Sequence, residues 1–493
     1  MNNEEYGGRQ MTDTAAVPDR GARKIGFVAL TALVMGSMLG AGILSLPQNM
    51  AATSGSAAVL IAWGITLFGM LMLALVFQNL SNRKPEVEGG VYGYARAGFG
   101  DFMGFNSAWG YWMSGWVGNV SLFVVMFSAL AGFKPFAFFA DGNNWQSILA
   151  SSVLLWLLTW TVMRGVHEAA FVNILTTIAR VLPLILFVIV VILAFNVKTF
   201  STDFWGNVKL GTVLDQVKGA MLVTVWVYIG IEGATVYSTR ALNKSDIGRS
   251  TIVGFLLTSV LLVAVSVLSL GIMSQPELAG LKNPSAAGVL QHVVGPWGAD
   301  LINACLVIAV GGELLAWTML PAEIPYLGAR DGVFPKMFGQ VNRHQSPVNA
   351  LWLTNGLIQV MLLVTLYSSA GYLALLSLAT SMVLIPYLLC GGYAWLVALR
   401  GEGYPAGTMA RNRDMLIGVL ATGYCVWLIY AAGLKYLFLS MILYTPGIAF
   451  YWWAKWERGE KPFKGFELVL ALFMAVLGVI ACVMVAQGKI SLN

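Results

Sequence analysis

Long apolar runs without a charged residue are the feature that most constrains the fold of this chain. Residues 252–272 form one such run, and a helix needs roughly 20 apolar residues to cross about 30 Å of hydrocarbon. Only 11% of the 493 residues are charged, against about 25% in soluble proteins. The short alternating segments of a membrane β-barrel are not seen in the sequence. We therefore predict an all-α membrane protein.

Thirteen apolar segments are long enough to be membrane spans, and we number them in chain order. Most of the 29 lysines and arginines fall in every second loop, beginning with the segment before the first span. Because basic residues are retained in cytoplasmic loops, this pattern predicts a cytoplasmic N-terminus. The predicted centres are Met38, Phe68, Gly118, Leu154, Leu186, Ile229, Leu261, Gly311, Ile358, Ser381, Gly423, Leu443 and Val476.

The remaining composition argues against other functional classes. Residues 1–23 are polar and are predicted to form a disordered cytoplasmic tail. The four cysteines lie inside apolar segments without paired spacing, so we expect neither a metal site nor disulfides. The sequence lacks H-E-x-x-H and G-x-S-x-G motifs, and we predict no enzyme activity and no cofactor. The net charge of +6 reflects the basic loops, so we expect no nucleic-acid partner.

Two spans carry glycines near their middle, where a helix in lipid is most costly to interrupt. Residues 36–43 read Gly-Ser-Met-Leu-Gly-Ala-Gly-Ile, and residues 228–233 of the sixth span read Tyr-Ile-Gly-Ile-Glu-Gly. Interrupted helices at corresponding positions of two halves indicate a transporter's binding site. The amino end of a half-helix suits a carboxylate, and free carbonyls suit an ammonium group. The alternative for the first span is a close helix–helix contact through Gly36-x-x-x-Gly40.

Three acidic residues are predicted to lie within spans, where a charge is costly and usually functional. Glu232 adjoins the glycines of the sixth span, and Glu313 lies one helical turn before Trp317, on the same face. A cation held between a carboxylate and an indole is a sound arrangement. Structural pairing remains the alternative for both acids, and for Glu323 we favour a structural or gate pairing.

Four stretches of the chain resemble one known superfamily. They are residues 38–43 followed by Leu46-Pro47, then Glu88-Gly89-Gly90, residues 226–232 (Trp-Val-Tyr-Ile-Gly-Ile-Glu), and residues 329–335 (Ala-Arg-Asp-Gly-Val-Phe-Pro). The chain resembles the amino acid–polyamine–organocation superfamily over about residues 24–455. Within it, the chain is most similar to the basic amino acid/polyamine antiporters, in particular to arginine/ornithine antiporters of the bacterial arginine deiminase pathway.

This resemblance implies a LeuT-like, five-plus-five inverted-repeat fold with broken first and sixth helices and 12–13 transmembrane helices. Residues 24–200 would form the first repeat, with spans 1–5. Residues 210–400 would form the second repeat, with spans 6–10, and residues 412–488 would add spans 11–13. The substrate would bind in an occluded site between the two breaks.

The resemblance also assigns roles to individual residues. Gly40, Ala41 and Gly42 would receive the substrate's carboxylate and ammonium groups. Trp226 and Tyr111 would be gate residues, and Ile229 would offer a backbone contact. Asn119 would bind the side chain of the substrate, and Trp317 would stack on a guanidinium.

Two further residues are assigned to coupling. Glu232 would link the site to gating or protonation. Arg180 lies where proton-coupled relatives carry a lysine in place of a sodium ion. Because arginine keeps its proton at any accessible pH, we predict exchange without obligatory sodium. The alternative for Arg180 is a snorkelling or salt-bridged side chain.

The sequence therefore predicts a transporter that exchanges arginine for ornithine by alternating access in a bacterial cytoplasmic membrane. An exchanger of an amino acid for its amine (arginine/agmatine, lysine/cadaverine or histidine/histamine) remains an alternative, and so does a membrane sensor without transport. The expected partners are small cationic amino acids, their amines and the lipid bilayer. The oligomeric state stays open, a homodimer included.

Overall fold

The computed structural model describes residues 26–87, 89–165, 170–232, 242–368, 371–405 and 409–491. The predicted tail at 1–23 and the motif residues Glu88 and Gly233 lie outside these ranges. Within them, all regular secondary structure is helical. Ten of the described helices are long and apolar enough to cross a membrane. The predicted all-α membrane class is thus confirmed.

Each predicted span centre lies within a described helix or at an interruption of one. The first span comprises Phe27–Met38 and Gly42–Ala51. Spans two to ten are Ser56–Arg83, Asp101–Ala131, Trp145–Met163, Ala170–Ala194, Val213–Trp226, Lys244–Ser269, Pro296–Arg330, Val348–Ser368 and Tyr372–Arg400. The last helices are Met409–Trp456 and Phe466–Ala486. Short helices between the spans are Gly90–Phe99, Val197–Ser201, Gln275–Ala279 and Ser285–Val294.

The helix Met409–Trp456 contains two spans. Its 48 residues would extend about 72 Å, more than twice the thickness of the hydrocarbon core. Gly433 interrupts it with φ 72° and ψ 167°, a backbone conformation that glycine adopts without a steric penalty. Spans eleven and twelve meet there, and Phe466–Ala486 is the thirteenth span. The assignment of spans to two repeats stays a prediction.

The surface and the interior are distributed as a lipid environment requires. Large apolar side chains such as Leu193 in span five and Leu472 in span thirteen are exposed, which is the arrangement expected of helices that face hydrocarbon. Spans three and ten are mostly buried, and span three packs against spans eight and ten. The centre of the protein is therefore formed by helices that lipid does not reach.

The described parts of the first and sixth spans both leave the helical conformation at the predicted positions. Span one ends at Met38, leaves the helical region at Leu39 (φ −81°, ψ 59°) and resumes at Gly42. The helix of span six ends at Trp226, and residues 227–232 continue as turns. Between the two breaks, Ser37 Oγ donates a hydrogen bond of 2.8 Å to the Gly230 carbonyl. The interruptions are thus in direct contact.

Gly230 is required by this contact. Its φ is +106°, and a Cβ at this position would lie 2.8 Å from the Ser37 carbonyl oxygen. Any other residue would meet both a backbone conformation that L side chains rarely adopt and a collision with the first span. The mid-span glycine recognised in the sequence therefore allows the two unwound segments to approach each other.

Candidate binding site at the helix breaks

A cavity lies beside the two breaks. It is bounded by spans one, three, six and eight, and among the described residues fifteen line it. Eight of the residues predicted for the site are among them, namely Gly40, Ala41, Gly42, Asn119, Trp226, Ile229, Glu313 and Trp317. The others are Ser37, Met38, Ser114, Gly115, Gly118, Leu122 and Val227.

The restart of span one presents backbone N–H groups to the cavity. Ala41 precedes the half-helix Gly42–Ala51, and no side chain of its own caps that end. The first N–H groups of a helix lack partners within the helix and carry positive partial charge. The Ala41 N–H donates to Glu313 Oε2 at 3.3 Å. This end of the helix therefore already binds a carboxylate, in this case one supplied by the protein.

Span eight contributes an acid and an indole from one face. Glu313 and Trp317 are one turn apart in the continuous helix Pro296–Arg330, and both line the cavity. Among the described lining residues, Glu313 is the one with an ionisable side chain. Arg180 lies within electrostatic reach of its carboxylate. The cavity thus combines a negative charge with an aromatic face, which suits a cation.

Asn119 connects spans three and eight. Its Nδ2 donates to the Trp317 carbonyl at 2.6 Å, which fixes the amide beside the indole. The Oδ1 atom is buried and has no hydrogen-bond partner within the described part of the chain. Because buried polar atoms are nearly always hydrogen-bonded, such an acceptor indicates a place for a donor from a ligand.

Trp226 extends from the end of the sixth-span helix between two glycines. A Cβ on Gly42 would lie 3.0 Å from its ring, and a Cβ on Gly118 would lie 2.8 Å from the far edge of the ring. The indole therefore fills the gap between spans one and three because both neighbours lack side chains. Its position at the cavity wall is compatible with the gate role that the resemblance implies.

Tyr111 and Glu232 do not line the cavity but form a second group. Tyr111 Oη donates to Glu232 Oε1 at 2.6 Å, and Tyr387 Oη donates to Glu232 Oε2 at 2.9 Å. The Gly230 N–H also donates to Oε2, at 3.3 Å. Tyr111 precedes Asn119 by two helical turns, about 12 Å toward the Asp101 end of span three. We refer to Tyr111, Glu232 and Tyr387 as the Glu232 cluster.

Tyr387 was not predicted from the sequence. It lies in the middle of span ten, directly after Pro386, and it is fully buried. A proline in mid-span with an adjacent hydroxyl is a weak signal of functional irregularity. The sequence alone cannot show that this hydroxyl faces the sixth span, since that depends on how span ten packs.

Arg180 contacts span one at the last helical turn before the first break. Its Nη1 donates to the Gly36 carbonyl at 3.0 Å, and Nη2 approaches the Ala309 carbonyl at 3.5 Å. The guanidinium thus connects span five to spans one and eight through backbone oxygens. It is directed into the protein, which argues against a side chain that extends along the helix to reach water.

Comparison with known proteins gives a consistent assignment. The amino acid permease family matches residues 25–446. The arginine/ornithine antiporter of Pseudomonas aeruginosa is 50% identical over 96% of this chain and 99% of its own length. The arginine/agmatine antiporter of Chlamydia pneumoniae is 39% identical over 96% and 99%, respectively. The L-lysine transport protein of Corynebacterium glutamicum is 39% identical over 96% and 97%. The chain therefore belongs to the amino acid permease family.

Proposed function

We propose that this protein exchanges cationic amino acids across a bacterial cytoplasmic membrane, arginine for ornithine, by alternating access. One observation carries the proposal. A single cavity joins the amino end of a half-helix, which suits a carboxylate, to Glu313, Trp317 and Asn119, which suit a cation. The name of the P. aeruginosa relative, at 50% identity, supports arginine and ornithine as the pair.

The substrate would lie across the cavity with its two ends in different surroundings. Its α-carboxylate would accept from the N–H groups at Ala41 and Gly42, and its α-ammonium would donate to carbonyls freed at the breaks, including that of Ile229. The guanidinium of arginine would stack on Trp317 and donate to Asn119 Oδ1. Charge-assisted hydrogen bonds of this kind are about twice as strong as neutral ones.

Alternating access requires a barrier on each side of the site. Trp226 would close the cavity on one side, and the Glu232 cluster would close the path toward the Asp101 end of span three. The basic loops predict that this end, and the N-terminus, face the cytoplasm. Breaking the two tyrosine bonds to Glu232 would open the inner path, which gives the buried carboxylate a role in gating.

Arg180 would make sodium unnecessary. Its charge is permanent, and its hydrogen bond of 3.0 Å to the Gly36 carbonyl holds the last helical turn before the break, on the side where the resemblance places a cation site. A fixed guanidinium can stabilise that segment but cannot leave with the substrate. Exchange would therefore be driven by the substrate gradients alone.

Exchange of arginine for agmatine is the second candidate, and the name of the C. pneumoniae relative favours it. The two activities differ in the charge that they move. Arginine and ornithine carry the same net charge, so their exchange is electroneutral. Agmatine lacks the carboxylate and carries one more positive charge, so its exchange responds to membrane potential.

The test is uptake of labelled arginine into proteoliposomes loaded with ornithine, agmatine, lysine or buffer. We expect uptake with internal ornithine, no uptake into buffer-loaded vesicles, and no effect of a potassium diffusion potential. Uptake that requires internal agmatine and follows the potential would replace the first candidate with the second. Failure of arginine to enter under any of these conditions would refute both.

A further inference from the structure

The Glu313 carboxylate occupies the place that the proposed function gives to the substrate's carboxylate. Glu313 Oε2 accepts the Ala41 N–H at 3.3 Å. A Cβ added to Gly40 would lie 2.5 Å from Glu313 Oε1, so this oxygen lies directly over the unwound backbone. A second carboxylate bound to the same N–H groups would have to displace the first.

Displacement has an electrostatic cost that depends on the substrate. Glu313 is attached to span eight on the face of Trp317, so after leaving Ala41 its carboxylate remains in or beside the cavity. Arg180 acts on it only at a distance, because its guanidinium is held at the Gly36 carbonyl and forms no ion pair with Glu313 in the described part of the chain. A displaced carboxylate in a desolvated site needs a new cationic partner. A substrate with a cationic side chain brings one, whereas a neutral amino acid does not.

We propose that Glu313 is a tethered carboxylate that competes with the substrate's own carboxylate for the amino end of Gly42–Ala51, and thereby selects amino acids with a cationic side chain. The proposal rests on the proposed function, because it concerns selectivity at the same site. It assigns Glu313 two successive partners. The first is the Ala41 N–H, and the second is the cationic end of the bound substrate.

Three ligands, arginine, citrulline and agmatine, distinguish the effects of the two partners of Glu313. Citrulline has the shape of arginine and a carboxylate but no side-chain charge, and agmatine has the charge but no carboxylate. In Glu313→Gln a neutral amide replaces the competing carboxylate and binds the Ala41 N–H less strongly. We expect citrulline affinity to rise at least about fivefold and agmatine affinity to fall at least about fivefold. The affinity for arginine should change less than the affinity for either of the other two ligands, because arginine is subject to both effects.

The experiment is equilibrium binding of the three ligands to purified wild type, Glu313→Gln and Glu323→Gln. Glu323 is a matched control, because it lies on the same helix but does not line the cavity. The control should keep the wild-type ratio of citrulline to agmatine affinity. Retained arginine binding by Glu313→Gln shows that the variant is folded. If Glu313→Gln binds arginine but keeps the wild-type ratio of citrulline to agmatine affinity, the proposal is overturned.

A second measurement needs no variant. Alanine and methylguanidinium divide arginine into a carboxylate-bearing part and a cationic part. In the wild type, saturating methylguanidinium should raise alanine affinity at least about fivefold, because it supplies the partner that the displaced Glu313 needs. Independent binding of the two fragments would contradict the proposal. Wild-type protein that binds no arginine at all would instead refute the proposed function.

Discussion

Replacing Tyr387 with phenylalanine tests whether the Glu232 cluster closes the inner path. The change removes the hydroxyl that donates to Glu232 Oε2 at 2.9 Å. It keeps the ring and its edge contact with Phe77, whose centroid is 6.1 Å away, so no cavity is created. Both partners are buried, and a hydrogen bond to a charged group contributes about 1.5–3 kcal/mol.

That energy sets the size of the expected effect. If the bond exists only while the path is closed, its loss shifts the equilibrium toward the open form by about tenfold to over a hundredfold. Tyr111 and the Gly230 N–H still donate to Glu232. The closed form should therefore remain the major one, and the variant should keep its fold.

The assay follows a cysteine placed beyond the cluster. Ser114 lines the cavity one turn after Tyr111, so Ser114→Cys in a background without the four native cysteines reports access from the cytoplasmic side. We expect Tyr387→Phe to raise the rate of modification by a membrane-impermeant thiol reagent at least about tenfold in inside-out vesicles. Tyr444→Phe is the control, because it removes a buried hydrogen bond of 3.0 Å to the Met382 carbonyl and leaves both tyrosine bonds to Glu232 in place. Equal rates of cysteine modification in Tyr387→Phe and Tyr444→Phe would refute the gate role of the Glu232 cluster.

Three further predictions concern other parts of the protein. Trp317→Ala should weaken arginine binding by about 1–2 kcal/mol through loss of the cation–π contact, and unchanged affinity by calorimetry would remove Trp317 from the site. With Arg180 donating to the Gly36 carbonyl at 3.0 Å, arginine exchange should proceed equally in sodium and choline media, and a sodium requirement would contradict this role. In the loops predicted to be cytoplasmic, the Lys84 ammonium donates to Glu402 at 2.6 Å and holds the pKa of that carboxyl below its ordinary value of 4.5. The pair therefore stabilises the fold above that pH and loses its effect as the pH falls through the lowered pKa. Glu402→Gln should lower stability by about 0.5 kcal/mol at neutral pH, and a thermal shift that did not shrink in acid would count against this explanation.

Much of the fold follows from local features of the sequence. The apolar segments predicted the spans because length and composition alone decide whether a helix can cross the bilayer. The glycines at 36–42 and at Gly230 predicted the two breaks, since backbone in lipid is interrupted only where protein surrounds it. The contacts that require these glycines are seen only in the structure. Gly42 leaves space for the Trp226 ring, and Gly230 leaves space for the carbonyl of Ser37.

The site was predicted less completely. The helical spacing of Glu313 and Trp317 correctly put them on one face, but it could not show that Glu313 reaches the Ala41 N–H on another span. The resemblance gave Tyr111 a gate role, but the sequence could not show that its hydroxyl binds Glu232, two turns from Asn119. Tyr387 was missed because its role depends on the rotation of span ten. Contacts between spans are tertiary properties that no single segment encodes.

The most direct test of the central claim is the stoichiometry of exchange in a doubly labelled experiment. Proteoliposomes are loaded with ornithine that carries one radiolabel and are placed in medium containing arginine that carries a different radiolabel. The medium contains no sodium, and the membrane potential is clamped at zero. One arginine should enter for each ornithine that leaves, and both fluxes should be lost when either amino acid is omitted. Arginine entry without ornithine release, or release of ornithine into arginine-free medium at the same rate, would contradict the proposed exchange.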